Sequence, residues 1–543
     1  NDLPQVAPTG KAVGAPQWHH PLRRANTAVG VPVLVEDEDD AVSPIPNFVN
    51  NAALQVLRAR EVFGEARVAD DATQFESLEQ ARAFLNVASR GGARLPPPLV
   101  AHSDLLSDVG LTKIAFSGLG AHLVRRAGPR QVAQLMSLPG LDPARLPAAR
   151  IVYMSDVRKM GAAEVRGGFA RMGACAVFDA NGTAVGIVVN DIAHARHVEE
   201  GAWVLPGDTQ WSRAKFVWRS SLVVAVTVMD HLVGAHMVAN TVNAAVREAL
   251  PTAHPVRRLL RPGDFMSVWI NQGAIPTLLS QNDVLHRTLA LTRRGQLSSI
   301  RRALRAAKWT SVQDNLQQRG MSTAPAWLYP YGSDLKQFDA VVRRFVRGYL
   351  GAFFPDGRVN GDAALMVWME QLQGGYPSVH VPGARDLDSV VEVLTTIIVH
   401  ESQHHMQVGR VTSYVTDPAL AASKLTSSNM ADVQSAMQMF LVASVTNSAR
   451  PMLMGNYDHL VPKRNPEAYF AAVEVWGRFR KELCQLAHAI DTANAQADED
   501  ASGAVHSQGM GALGHGEYDV QAAPRRWPTN GANPKYMAAG VSI

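Results

Sequence analysis

The sequence predicts a mainly α-helical protein: one large helical domain built around long central helices, with a small β-hairpin or sheet element. Three observations carry this. A chain of 543 residues with 47% hydrophobic content can bury one very large core or two to four ordinary ones. Stretches of helical period recur at 212–250, 284–307, 336–352, 386–409, 430–447 and 465–495. Strand signals are few, the clearest being the two apolar runs flanking Asn181-Gly182 in "GACAVFDANGTAVGIVVN".

In chain order, residues 1–46 carry many Pro, Asp and Asn without periodicity and read as an irregular arm. From Asn47 to about Gly140 the pattern is helical, interrupted by breaks such as "RGGARLPPP". The hairpin follows, and then the apolar stretch "SSLVVAVTVMDHLVGAHMVANTVNAAV" at 220–246. It approaches membrane-spanning length, but Asp230 and two histidines near its middle favour a helix buried on all sides. Residues 496–535, rich in Gly, Ala, Asp and His, read as a surface loop. No internal repeat is visible.

A formal charge of +4 is mild for this length, and basic residues cluster only briefly, as in "RRALRAAK" at 301–308, so nucleic-acid binding gains no support. Cys175 and Cys484 are the only cysteines, which excludes a disulfide framework or a cysteine metal site. The first residue is Asn1 rather than Met, which leaves open a cytoplasmic protein or a secreted or periplasmic one whose signal peptide has been removed.

The chemistry sits in two histidine pairs on the most apolar helices. His400 and His404, in "HESQHH", are four apart, which puts them about 40° apart on one helical face. His231 and His236, in "DHLVGAH", are five apart, roughly 140° around a regular helix, and would share a side only across a π-type turn. His405 reads as a neighbour pointing about 100° away from His404. The H-E-x-x-H spacing of His400, Glu401 and His404 also matches a zinc peptidase. That alternative lacks a third ligand: Gln407 and Arg410 stand where the extended motif needs Gly and His, and no Glu occurs between 406 and 466.

Beyond the pairs, the sequence resembles the lipoxygenase family over residues 171–543. "WSRAKFVWRSSLVVAVTVMDHLVGAH" is similar to the family's W-x-x-A-K segment running into its first histidine pair. "LPTAHPVRRLLRP", "DNLQQRGM", "YPYGSDLKQFDAVVRRFVRGYLGAFFP" and "VVEVLTTIIVHESQHHMQ" follow in family order, and the chain ends "GVSI". The resemblance implies a lipoxygenase catalytic domain at 47–543, weakly matched over 47–170, of the bacterial type without an N-terminal PLAT β-barrel. It implies one non-haem iron, with manganese the minority alternative, held by His231, His236, His400, His404 and the α-carboxylate of Ile543, with Gln407 behind them. Polyunsaturated fatty acids and O2 are the implied partners, without nucleic acid or a membrane span. A monomer is expected, and peripheral membrane contact is left open. The implied reaction is bis-allylic hydrogen abstraction and O2 insertion, giving hydroperoxides.

The departures bear on substrate. "INQGAIPTLLSQNDVL" matches the family's oxygen-site stretch poorly, with Ile275 at a common Arg position, and Thr227 stands where a family Gln is expected. They keep a second reading open, an oxygenase on the same iron scaffold acting on a more polar substrate, and behind it a binding protein without catalysis. Lys215 reads as salt-bridged rather than substrate-binding, and His254 as structural. His194, His197, His506 and His515 read as solvated, and Tyr536 as tail packing.

Overall fold

The computed structural model describes residues 106–190, 201–264, 284–375, 377–415, 420–426, 452–463, 465–508 and 529–541, with Ser267, Asn271, Leu278 and Leu279 between them. The arm at 1–46, most of the helical stretch from Asn47, and the helix predicted at 430–447 lie outside the described residues, as do His194, His197 and His515.

After a short helix, α1 (Asp108–Phe116), capped by the Ser107 hydroxyl on Gly110 N, five antiparallel strands form one sheet in sequence order. They are β1 (Arg125–Arg126), β2 (Tyr153–Asp156), β3 (Ala174–Phe178), β4 (Ala184–Val189) and β5 (Ala202–Val204). The predicted hairpin is β3–β4, and Gly182 in its loop has φ +79°, a conformation only glycine adopts without strain. Side chains alternate across β3. Ala174, Ala176 and Phe178 enter the main core, while Cys175 and Val177 enter a smaller one roofed by α2 (Pro129–Met136).

The centre of the molecule is α3, a continuous rod from Trp211 to Ala249. It is apolar and long enough to cross a membrane, but its most apolar window is 72% buried inside the protein. A helix apolar on every side is stable only when surrounded, and here the sheet, α4 (Pro255–Asp264) and the later helices surround it.

The segment predicted as one helix at 284–307 is two, α5 (Val284–Thr288) and α6 (Arg293–Ala306). Thr292 accepts from Gly295 N at 3.0 Å and starts the second afresh. Next come α7 (Val312–Gln318), α8 (Pro330–Phe353) and α9 (Ala363–Gly374). The second central rod, α10, runs through Leu387–Val399, His400–His404 and His405–Gly409, and the Asp386 carboxylate caps its start.

The last helix, α11, spans Pro466–Gln508 and packs along α8, where the Phe345 and Phe479 rings stack at 4.1 Å. It overruns the predicted loop start at 496: three of the eight residues in "NAQADEDA" are Ala, the best helix former, and prolong a helix already nucleated. The tail at 529–541 then returns to the core, and Gly540 rests backbone against backbone on Gly263.

Candidate metal centre

Both rods abandon the α-helical turn where their histidines lie. In α3 the backbone is a π-helix from Val226 to Met237, the wider turn that a five-residue histidine spacing requires. It brings the His231 and His236 Nε2 atoms to 3.1 Å. In α10 a shorter π turn spans His400–His404. His405, the residue after it, puts its Nε2 3.2 Å from that of His231. The three nitrogens lie within 4.8 Å of one another. Two ligands at right angles, each about 2.1 Å from one ion, would be about 3 Å apart, so the spacing suits a shared metal.

Of the second expected pair, neither ring joins this grouping. A regular helix would place His400 and His404 on one face, but the wide turn shifts the register, so His405 reaches the cluster and those two do not. His400 instead hydrogen-bonds the Thr310 carbonyl at 3.0 Å through Nε2 and stacks on Trp309 at 5.0 Å. His404 lies between His400 and His122, its ring 5.1 Å and 5.7 Å from theirs. Ile543 lies outside the described residues, which end at Val541.

The peptidase geometry does not form either. Glu401 is buried and faces a small cavity of about 20 Å³ lined by Gly263, Phe345, Tyr457, Trp476 and Ala539. Burial, with the nearby Asp264, holds its carboxyl well above the usual range.

Gln407 is fully buried, donating to the Gly118 carbonyl at 2.9 Å and accepting from the Tyr414 hydroxyl at 2.6 Å. It ties α10 to the end of α1. Gln403, one turn earlier, donates to Tyr331 Oη and to the Gly531 carbonyl, fastening the returning tail.

The residue that orients the cluster was not singled out from the sequence. Asn271 Nδ2 donates to the His236 carbonyl at 3.1 Å, so its Oδ1 is the atom facing His236 Nδ1, at 2.9 Å. Nδ1 therefore carries the proton, and the lone pair of Nε2 points at the cluster, as a metal-binding imidazole requires. Asn271 falls within the poorly matching oxygen-site stretch, where position alone does not reveal a partner for His236. For His405 a signal was available: His400 to His405 repeats the five-residue spacing of His231 to His236.

Trp309 joins the two π turns. Its indole Nε1 donates to the Gly234 carbonyl at 2.6 Å while its ring covers His400. Beside the cluster runs a polar row. His122 Nε2 contacts the Asp230 carboxylate at 2.9 Å, and His404 and His400 continue it. Burial lowers the His400 pKa to about 4, partly opposed by the Thr310 carbonyl. Burial, then the neighbouring His400, His122 and His231, hold His404 well below the ordinary range.

Lys215 is salt-bridged to Asp108 at 2.7 Å, and His254 bridges Asp362 and Val256 N at the start of α4, in line with both expectations. A second metal-compatible grouping, Asp314, His380 and Glu392, is half-buried.

With this geometry in hand, the comparisons with known proteins bear on identity. The lipoxygenase family profile matches residues 193–499. The hydroperoxide isomerase ALOXE3 of Rattus norvegicus is 28% identical over 219 residues, covering 38% of this chain and 30% of its own length. The polyunsaturated fatty acid lipoxygenase ALOX12 of Homo sapiens is 28% identical over 173 residues, 31% of this chain and 26% of its own. The chain thus spans about a third or less of the length of these relatives. Among solved structures, a Delta413-417:GS LOX in complex with arachidonate superposes with TM-score 0.70 at 15% identity, covering 95% of this chain and 79% of that one. A lipoxygenase from Fusarium graminearum gives 0.65 at 15% identity, covering 91% and 90%.

Proposed function

The chain belongs to the lipoxygenase family, and on that premise we propose that it is a non-haem iron dioxygenase of polyunsaturated fatty acids of the linoleate or arachidonate type. The observation that carries the proposal is the meeting of His231, His236 and His405 on two π turns, with the His236 lone pair fixed by Asn271. These three imidazoles would hold the ion, with the Ile543 carboxylate as the proposed oxygen ligand. Imidazole with carboxylate suits iron, manganese being the lesser alternative.

Iron there would supply the one-electron redox chemistry that breaks a bis-allylic C–H bond and lets O2 add to the carbon chain. The protein's own part is positional. Asn271 sets the tautomer and angle of His236. Val228, Leu232, Val233 and Ala235 of the first π turn are buried and anchor it in the main core. Gln407 and Gln403 hold α10 against α1, α8 and the tail, which fixes the backbone that carries His405.

A second reading, a more polar substrate, is favoured by the row His122, Asp230, His404 and His400, which sets charged and imidazole groups beside the cluster. A fatty acid that already carries a hydroperoxide is such a substrate, and one similar protein is itself named a hydroperoxide isomerase.

One experiment separates the readings. The purified protein is assayed for metal, then given linoleate or arachidonate, and separately their hydroperoxides. Iron, conjugated-diene absorbance and oxygen uptake with the free acids are expected. Consumption of the hydroperoxide with no oxygen uptake from the acids would replace the first reading by the second, and absence of both iron and manganese would overturn both.

A further inference from the structure

Away from the histidine cluster, three side chains of mixed chemistry meet. Asp314 stands in the first turn of α7, His380 directly follows the short strand β7 (Ser378–Val379), and Glu392 lies in α10 about two turns before His400. Their ligand atoms, one imidazole nitrogen and two carboxylate oxygens, lie within 4.8 Å of one another. Three separate elements thus converge on one point, which a run of acidic residues along one exposed helix does not do. All three residues are half-buried. Among the described residues none of these side chains makes a hydrogen bond or an ion pair, either within the group or outside it.

Charge sharpens the requirement. Two carboxylates this close repel unless a proton or a cation stands between them. Their field reaches α8, where burial holds the Asp339 carboxyl above its usual range, Arg343 opposes this and Glu392 adds to it. The Arg343 guanidinium is itself taken by Asp339, at 3.6 Å. The backbone around the group is fixed. The strand β6 (Lys308–Trp309) pairs with β7 in parallel, and His380 N donates to the Trp309 carbonyl at 2.7 Å. The Ser311 hydroxyl accepts from Asp314 N at 3.1 Å and sets the first turn of α7. Ligands carried on fixed backbone keep their geometry, as a metal site requires.

We propose that Asp314, His380 and Glu392 form a second metal site, taking a divalent cation of the zinc class with water completing its shell. One imidazole with two carboxylates suits zinc, whereas calcium and magnesium prefer oxygen ligands alone. Neighbouring ligands of a tetrahedral ion with bonds of about 2.1 Å stand about 3.4 Å apart, and small rotations of two half-buried carboxylate side chains close the spread to that distance. The ion is structural. It ties the 308–314 segment, which carries Trp309 and Thr310, to α10 upstream of His400, and so stiffens the contact that holds the second wide turn. The site shares no residue with the histidine cluster and stands apart from the iron reading.

The test titrates the iron-loaded full chain with zinc by calorimetry, with both metals counted by plasma emission. One zinc per chain beyond the iron is expected, with a Kd of about 1 μM or tighter. The Tm should rise by about 2 °C at a hundredfold excess over that Kd. His380→Ala and, separately, Glu392→Gln are each expected to weaken zinc binding by about tenfold or more and to remove the rise in Tm. Unchanged zinc affinity in these variants marks an adventitious ion only and overturns the proposal, as does a wild type that takes no zinc beyond its iron. Glu392→Gln preserves the side-chain shape and decides the matter where His380→Ala fails to fold. Should the wild type hold no iron, the titration is repeated on His405→Ala, whose histidine cluster is disabled. One zinc there that is lost on adding His380→Ala supports the site, and no zinc overturns it.

Discussion

The π turn of α3 sends both of its histidines to one point, whereas that of α10 sends His405 and holds His400 on the Thr310 carbonyl under the Trp309 ring. The histidine spacing is five residues in each. What differs is the first member. His231 faces the cluster, its Nε2 lying 3.1 Å and 3.2 Å from those of His236 and His405. His400 meets a backbone carbonyl at hydrogen-bond distance and an aromatic face parallel to its own ring. A neutral imidazole taken up this way has its Nε2 committed, and buried polar groups keep the partners they find. Spacing thus offers a histidine to a metal, and its surroundings decide whether the offer is accepted.

The comparison breaks most visibly at the third nitrogen. His405→Ala should weaken iron retention by more than about 100-fold, above the range typical of outer-shell losses, while His400→Ala and His404→Ala should leave bound iron near the wild-type level by plasma emission analysis. Equal iron loss in the His400 and His405 variants would mean the two π turns are used alike.

A smaller effect is expected one step out. Asn271→Ala frees the His236 ring and its tautomer, and metal affinity should fall by roughly 10- to 100-fold. Competition with a calibrated chelator measures it, and an unchanged affinity would remove Asn271 from the site.

A further effect concerns acid stability. The folded-state pKa of His400 lies at about 4, below the ordinary imidazole value of 6.5, so its neutral form is retained on folding. Its contribution is present above pH 6.5 and is lost as pH falls towards 4, because the unfolded chain binds the proton first. On the order of 3 kcal/mol is at stake over that window. His400→Gln keeps a donor for Thr310 without the titration, so its deficit relative to wild type should shrink between pH 7 and pH 4 in denaturant unfolding. A constant deficit would show that His400 is not held neutral.

Much of this architecture is legible in the chain. The apolar run at 220–246 announces a buried rod, Asn181-Gly182 marks its hairpin, and the five-residue gap between His231 and His236 calls for a π turn. The second π turn is not legible in the same way. "HESQHH" offers pairs at spacings of four and five, and only the carbonyl of Thr310 and the ring of Trp309, some ninety positions earlier in the chain, decide between them. Asn271 escapes for a related reason. Its partner is fixed by where a distant segment crosses α3, and no local period encodes that. Thr292 shows the opposite case, a local cap that splits a helix despite an unbroken apolar pattern around it.

The indole of Trp309 touches both wide turns at once, through its N–H on one and its face on the other. The wide turn is the less stable way to wind a helix and needs outside support to persist. Truncating this one ring would let either segment tighten towards ordinary winding, and a one-residue slip swings each imidazole by about 100°. A change at a residue that supplies none of the three converging nitrogens would then scatter all of them, so loss of metal in a Trp309 variant should be read as a failure of the brace rather than as the loss of a ligand.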